Sequence, residues 1–222
     1  MFNISSIFNN LPLYLMRIPV LLLALTVHET AHGFIAYKLG DPTAYNQGRL
    51  TLNPLKHLDP IGTVMMLLFG FGYAKPVPIN VRYFKSPKRD MALTALAGPV
   101  SNLLLALIGV WLLHVVYPLI SGGSAFSYVI SLFLTVFYSL NIGLGVFNLI
   151  PIPPLDGSRV LLTFLPTKYY FRIMQYERYI MLAAIALIWL GVLDRPLNAA
   201  MSFVAELLFR LVELIPGMPQ LI

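Results

Sequence analysis

Residues 20–37 read VLLLALTVHETAHGFIAY, an apolar run with three ionisable side chains, His28, Glu29 and His32, at its centre. A membrane-spanning helix needs about 20 predominantly apolar residues. Each polar or ionisable group inside such a helix costs about 2–3 kcal/mol on insertion scales, so it reads as functional by default. On a helix, positions i and i+4 share a face, and the imidazoles of His28 and His32 can therefore bind one metal ion. Glu29 stands about 100° further round and can act as general base on a water that the metal activates. With four histidines in 222 residues, chance produces this H-E-x-x-H pattern in roughly one of a thousand sequences of the same composition. The bland alternative, two helix histidines satisfied by neighbours, leaves their placement in an apolar run unexplained.

Composition agrees with a bilayer as solvent. The chain is 58% hydrophobic and 11% charged, against about 45–50% and about 25% in soluble domains. This excludes disorder, a collagen-like chain and a soluble enzyme with a charged surface. The absence of cysteine excludes disulfides, thiolate metal sites and a cysteine nucleophile, and leaves the redox compartment open. The net charge of +6 reads as loop topology rather than nucleic-acid affinity. No cleavable signal peptide, internal repeat, low-complexity tract or lipidation signal is expected.

Working outward, Asn10-Leu11-Pro12 opens a helix that runs to about Tyr37, kinked at Pro19. Residues 49–53 alternate polar and apolar, as a strand does. Residues 61–71 are apolar over about half a bilayer and read as a re-entrant or interfacial segment. Residues 73–84 carry Pro76 and Pro78 and read as extended backbone or an edge strand. Helices follow at 91–117, interrupted at Gly98-Pro99, and at 126–150, then a short apolar stretch at 160–165 and helices at 176–193 and 197–215. The expected architecture is an all-α, polytopic membrane bundle of about five or six membrane segments. A short re-entrant or strand-like segment lies near 49–84. The chain reads as one domain, 1–222, with a core at 18–165 and extra C-terminal helices at 176–215. Basic residues crowd 38–89 and 159–178 and are missing from 118–127, which places the first two segments on the cytoplasmic side. Arg17 is the exception and would snorkel at the outer end of the first helix.

Two histidines leave a catalytic zinc short of a protein ligand. Asp156 is the best candidate, because it follows a transmembrane helix in a stretch broken by Pro151, Pro153, Pro154 and Gly157. Non-helical backbone at membrane depth is tolerated where it lines a cavity. Its alternative reading is a turn residue in an Asp-Gly pair. Depth is consistent: His28 is ten residues from Lys38, about 15 Å below the cytoplasmic edge at 1.5 Å per residue.

Four motifs in order now resemble the site-2 protease family of intramembrane zinc metalloproteases. They are His28-Glu29-x-x-His32, Asn53-Pro54-x-x-His57-x-Asp59-Pro60-x-Gly62, Ala97-Gly98-Pro99-x-x-Asn102, and Asn148-x-x-Pro151-x-Pro153-x-Leu155-Asp156-Gly157. Residues 72–80 are also similar to the membrane-associated strand segment of small bacterial members. The resemblance covers about residues 18–165. It implies that His28, His32 and Asp156 hold one zinc ion, that Glu29 is the catalytic base, and that Asn148 assists by bonding the substrate backbone or the oxyanion. His57 and Asn102 match motif positions without an assigned role; His57 also reads as a loop residue capping Asp59 or backbone groups. Pro76, Val77, Pro78, Ile79 and Asn80 are candidates for substrate binding by strand addition, since a helical substrate must unwind before cleavage. The resemblance further implies membrane-spanning protein substrates, no nucleic-acid partner, and a prokaryotic cell membrane with the site toward the cytoplasm. The chain length leaves no room for the PDZ or CBS domains of larger members.

Two other classes compete. A non-proteolytic zinc-binding chaperone or scaffold would use the same ligands but has no need of Glu29. A metal transporter would spread ionisable residues along a path across the bilayer, whereas here they share one depth. His114 matches no motif and reads as an interfacial residue, and Glu206, Arg210 and Glu213 share a face suited to ion pairing.

Overall fold

The computed structural model describes residues 11–59, 62, 74–120 and 123–221. Eight α-helices appear among them: α1 Leu11–Lys38, α2 Thr43–Asn46, α3 Pro87–Ile120, α4 Ala125–Asn148, α5 Asp156–Thr163, α6 Thr167–Gln175, α7 Glu177–Trp189 and α8 Asp194–Glu213. Short 3-10 turns occupy Pro54–Lys56 and Val81–Tyr83.

The first, second and third long apolar runs each become one continuous helix. Three helices, α1, α3 and α4, are long and apolar enough to cross a membrane. Their prolines, Pro19, Pro99 and Pro118, lie inside them without ending them. Only 33%, 28% and 39% of their most apolar windows are buried within the protein. The remaining apolar surface, including Leu23, Leu104, Ile108 and Phe133, requires lipid, and the chain is a helical membrane protein.

The expected count of five or six membrane segments is not met among the described residues. Helix α5 has eight residues, about 12 Å at 1.5 Å per residue, and cannot span. Helices α7 and α8 meet at an 85° bend and together make at most one further span. The apolar stretch 61–71 lies, apart from Gly62, outside the described residues. The expected strand at 49–53 is also absent: these residues form bends before the 3-10 turn. The reason is local. Arg49 is buried and turns its guanidinium inward onto the carbonyls of Lys75 and Pro76, at 2.7 and 3.3 Å, so its segment follows those bonds and not a ladder. Residues 75–80 are extended, as read from Pro76 and Pro78, but have no sheet around them. Among the described residues an isolated antiparallel bridge, Leu58 with Ala74, is the sheet-type pairing present.

Helix α3 is the hub and packs against α1, α4, α5 and α8. One apolar cluster joins Ala106 and Val110 of α3, Ile142 and Val146 of α4, and Leu208, Phe209 and Val212 of α8. A second joins Val20 of α1 to Val136 and Phe137 of α4. His114, read as interfacial, is instead fully buried in α3, with its ring 5.4 Å from that of Phe209 and its Nε2 3.7 Å from Glu213. Glu213 accepts from Leu221 N at 2.7 Å, while Arg210 pairs with Glu206 at 2.5 Å. Helix α8 thereby docks on the bundle through contacts that its own sequence does not announce.

Ile142 is 2% exposed at the centre of the larger cluster. Ile142→Ala leaves a cavity there and is expected to cost about 2–5 kcal/mol, read as a lowered unfolding temperature of the protein in detergent.

Candidate metal centre

The site begins where α1 and α3 cross. They run antiparallel, with His28 opposite Asn102 and His32 opposite Thr94. Thr94, Gly98 and Asn102 repeat every four residues, so they lie along one stripe of α3. His32 Nδ1 is 2.7 Å from the carbonyl oxygen of Thr94. A carbonyl only accepts, so Nδ1 carries the proton and Nε2 keeps its lone pair. His28 Nδ1 donates to Asn102 Oδ1 at 2.6 Å, and the same argument frees its Nε2. Both imidazoles are more than nine-tenths buried. A Cβ built at Gly98 would fall on both rings; the middle position of the stripe admits only glycine.

Asp156 completes the group. Helix α4 ends at Asn148, the prolines prevent its continuation, and α5 starts at Asp156. A Cβ at Gly157 would collide with the carbonyls of Leu149 and Ile150, so this glycine lets the start of α5 fold back on the end of α4. Helix α5 is pinned to α3 by Lys88 Nζ donating to Leu165 O at 2.8 Å and Thr163 Oγ1 to Lys88 O at 3.2 Å. Arg159 ties it to α7 through Glu177 at 3.0 Å. The Asp156 carboxylate then sits at a helix N-terminus, which favours negative charge.

The three ligand atoms form a near-equilateral triangle. His28 Nε2 and His32 Nε2 are 3.0 Å apart, and Asp156 Oδ2 is 3.1 Å from the first and 3.3 Å from the second. Ligands at zinc distances of about 2.0–2.2 Å in a tetrahedron are about 3.3 Å from one another. Two imidazole lone pairs facing each other repel unless a cation lies between them, and the neighbouring carboxylate adds the charge such a cation wants. His28, His32 and Asp156 therefore fit a zinc ion with three protein ligands and an open position.

Glu29 lies next to this triangle in sequence but faces the extended segment. Its Oε2 accepts from Val77 N at 2.8 Å. That segment is strapped down along its length. Lys75 N donates to His57 O at 2.8 Å, Arg49 holds the carbonyls of Lys75 and Pro76, and Asn80 N donates to Asp41 Oδ2 at 2.6 Å. The Val77 side chain is buried, packing toward Gly33 of α1. Of the candidate substrate-binding residues, Val77 thus reaches Glu29 directly, and Asn80 is bonded to the corner after α1. His57 is buried and places Nε2 2.8 Å from Thr51 O, holding the loop. Asn148 donates to Leu144 O at 3.0 Å, back along its own helix.

Three participants were not singled out in the sequence. Thr94 acts through its backbone carbonyl, which has no side-chain signature. Asp41 is fully buried beneath the strap and reads in sequence as a helix-ending turn residue. Asn141, also fully buried, donates to Phe137 O and accepts from Asn102; an amide inside an apolar span was its available signal.

Two helix histidines and a carboxylate converging on one point, beside a further carboxylate, define a mononuclear metal-hydrolase centre inside a membrane bundle. Comparison with known proteins gives this class its name. The chain belongs to peptidase family M50, the site-2 protease family, whose model matches residues 16–191. Among its relatives, YwhC of Bacillus subtilis (strain 168), named as a candidate zinc metalloprotease, is 47% identical over 160 residues, 72% of this chain and 73% of the relative. Rip2 of Mycolicibacterium smegmatis, named likewise, is 31% identical over 152 residues, 63% of this chain and 53% of the relative. A zinc metalloprotease of Methanocaldococcus jannaschii is 30% identical over 166 residues, 74% of this chain and 38% of the relative. No solved structure matches the chain significantly. The protein is a zinc metalloprotease.

The geometry at Gly98 yields a direct test. Gly98→Ala drives a methyl group into both imidazoles and is expected to lower zinc content at least tenfold, in the range by which disturbed supporting groups weaken metal sites. Metal analysis of the purified protein measures it.

Proposed function

We propose that the protein cleaves peptide bonds within or near the membrane-spanning segments of other membrane proteins, with His28, His32 and Asp156 as zinc ligands and Glu29 as base. The observation that carries this reading is the convergence of those three ligand atoms on the interior of the first span, where Glu29 follows His28 in the chain. A soluble substrate would have no reason to be met there. The zinc ion, when bound, supplies a Lewis acid that polarises the scissile carbonyl and activates water.

The chain's own residues do the rest. Glu29 takes a proton from the attacking water and returns it to the amide nitrogen as the C–N bond breaks, so one water is consumed and an amine and a carboxylic acid are released, the acid's proton passing to the amine to give ammonium and carboxylate. The Val77 N–H holds Oε2 of Glu29 in place, leaving the other oxygen for the water. A substrate strand that has left its helix would lie along the segment 75–80; Pro76 and Pro78 carry no N–H, so the substrate would bond to backbone carbonyls of this segment. Asn148, at the end of α4, would bond the substrate backbone or the oxyanion. We read this machinery as facing the cytoplasmic side of a prokaryotic cell membrane, a reading that the basic residues within 38–89 and 159–178 support.

The protein reconstituted in liposomes with a panel of single-span substrates tests the reading. Glu29→Gln is expected to keep about one zinc per chain and to lose cleavage by about 10²–10⁴-fold. Zinc binding by both proteins with cleavage by neither, across the panel, contradicts it. Val77→Pro removes the N–H that orients the base and is expected to lower kcat with zinc content unchanged.

A further inference from the structure

Asn141 lies in the middle of α4 and belongs to none of the metal motifs, yet it is fully buried. Its amide donates to the backbone carbonyl of Phe137 at 2.9 Å. That carbonyl can only accept, so the Asn141 NH₂ is committed to its own helix and Oδ1 faces across the interface to α3. There it lies 3.1 Å from Asn102 Nδ2, whose other hydrogen reaches Ala24 O of α1 at 3.2 Å. Both hydrogens of the Asn102 amide are thus taken. Its Oδ1 is left facing His28 Nδ1 at 2.6 Å.

We propose that Asn141 is a positioning residue for the metal centre: it fixes the orientation of the Asn102 amide, and through it the His28 tautomer whose Nε2 is free to bind a cation. A reversed Asn102 amide would point N–H at His28 Nδ1, move the imidazole proton to Nε2 and remove the ligand lone pair. Asn102 and Asn141 are both 0% exposed, so water does not replace a lost partner. The chain from Phe137 O to His28 crosses all three long spans, which makes the metal site sensitive to the seating of α4. The inference rests on His28 being a zinc ligand, as proposed above.

The test uses the full-length protein in detergent, stripped of metal and titrated with Zn²⁺ against a chromophoric chelator. Asn141→Leu keeps the branched heavy-atom shape and has no acceptor. Asn141→Asp keeps an acceptor for Asn102 in either protonation state. The expected result is Zn²⁺ affinity weakened about tenfold by Leu and within about threefold of wild type for Asp, the low end of outer-shell effects because Ala24 O still holds one hydrogen. A merely structural role gives the opposite order, since an apolar interface accepts leucine better than a carboxylate. Equal affinity in wild type and Asn141→Leu, or a larger loss in Asn141→Asp, overturns the proposal. If the leucine variant does not purify as a single species by size exclusion, Asn141→Ala makes the same comparison. A wild-type protein that binds no Zn²⁺ overturns the ligand reading itself, and is thereby distinguished from failure of the relay alone.

Discussion

Two imidazole nitrogens held 3.0 Å apart with their lone pairs facing are the constraint on which the rest of the structure turns. A cation held between the two nitrogens relieves that opposition. The arrangement then has to pin both rings by their other nitrogens, and α3 does this with a stripe of three positions. Thr94 offers a carbonyl, Asn102 an amide oxygen, and Gly98 the space between. The antiparallel crossing of α1 and α3 is set by this matching of two histidines four apart to a stripe with the same spacing.

The remaining parts follow in order. A cation needs a third ligand and an open side, so α4 must stop and the chain must return to the site. The prolines after Asn148 end the helix, and Gly157 lets α5 begin against its end, which delivers Asp156 at 3.1 and 3.3 Å from the imidazoles. Beside Glu29 runs the segment 75–80, whose backbone is held by Arg49, Asp41 and Glu29.

Much of this was legible in the residues. His28, Glu29 and His32 stand out because charge in an apolar run needs a reason, and Asp156 because prolines and glycine mark backbone that has left its helix. The long spans emerged near their observed ends for the same reason: periodicity is weak in lipid-facing helices, but length and apolarity are not. What was not legible depends on contacts between distant elements. The described residues give three spans, or four if α7 and α8 are one bent path, fewer than the apolar runs taken singly. The strand at 49–53 failed because a buried guanidinium overrode alternation. His114 was assigned to the interface by its place along α3, and only the docking of α8, with Phe209 and Glu213, buries it. Asn141 gives no motif at all; its part appears once three helices are seen to share two amides.

The central claim is that two imidazoles and one carboxylate of this chain hold a single zinc ion. Zinc K-edge X-ray absorption on the purified protein, with Asp156→Ala alongside, tests it most directly. The account predicts two imidazole scatterers in a nitrogen and oxygen shell at about 2.0–2.2 Å, with one light scatterer lost or replaced in the variant. A shell without imidazole scattering, or a spectrum unchanged by the variant together with unchanged zinc affinity, would contradict it.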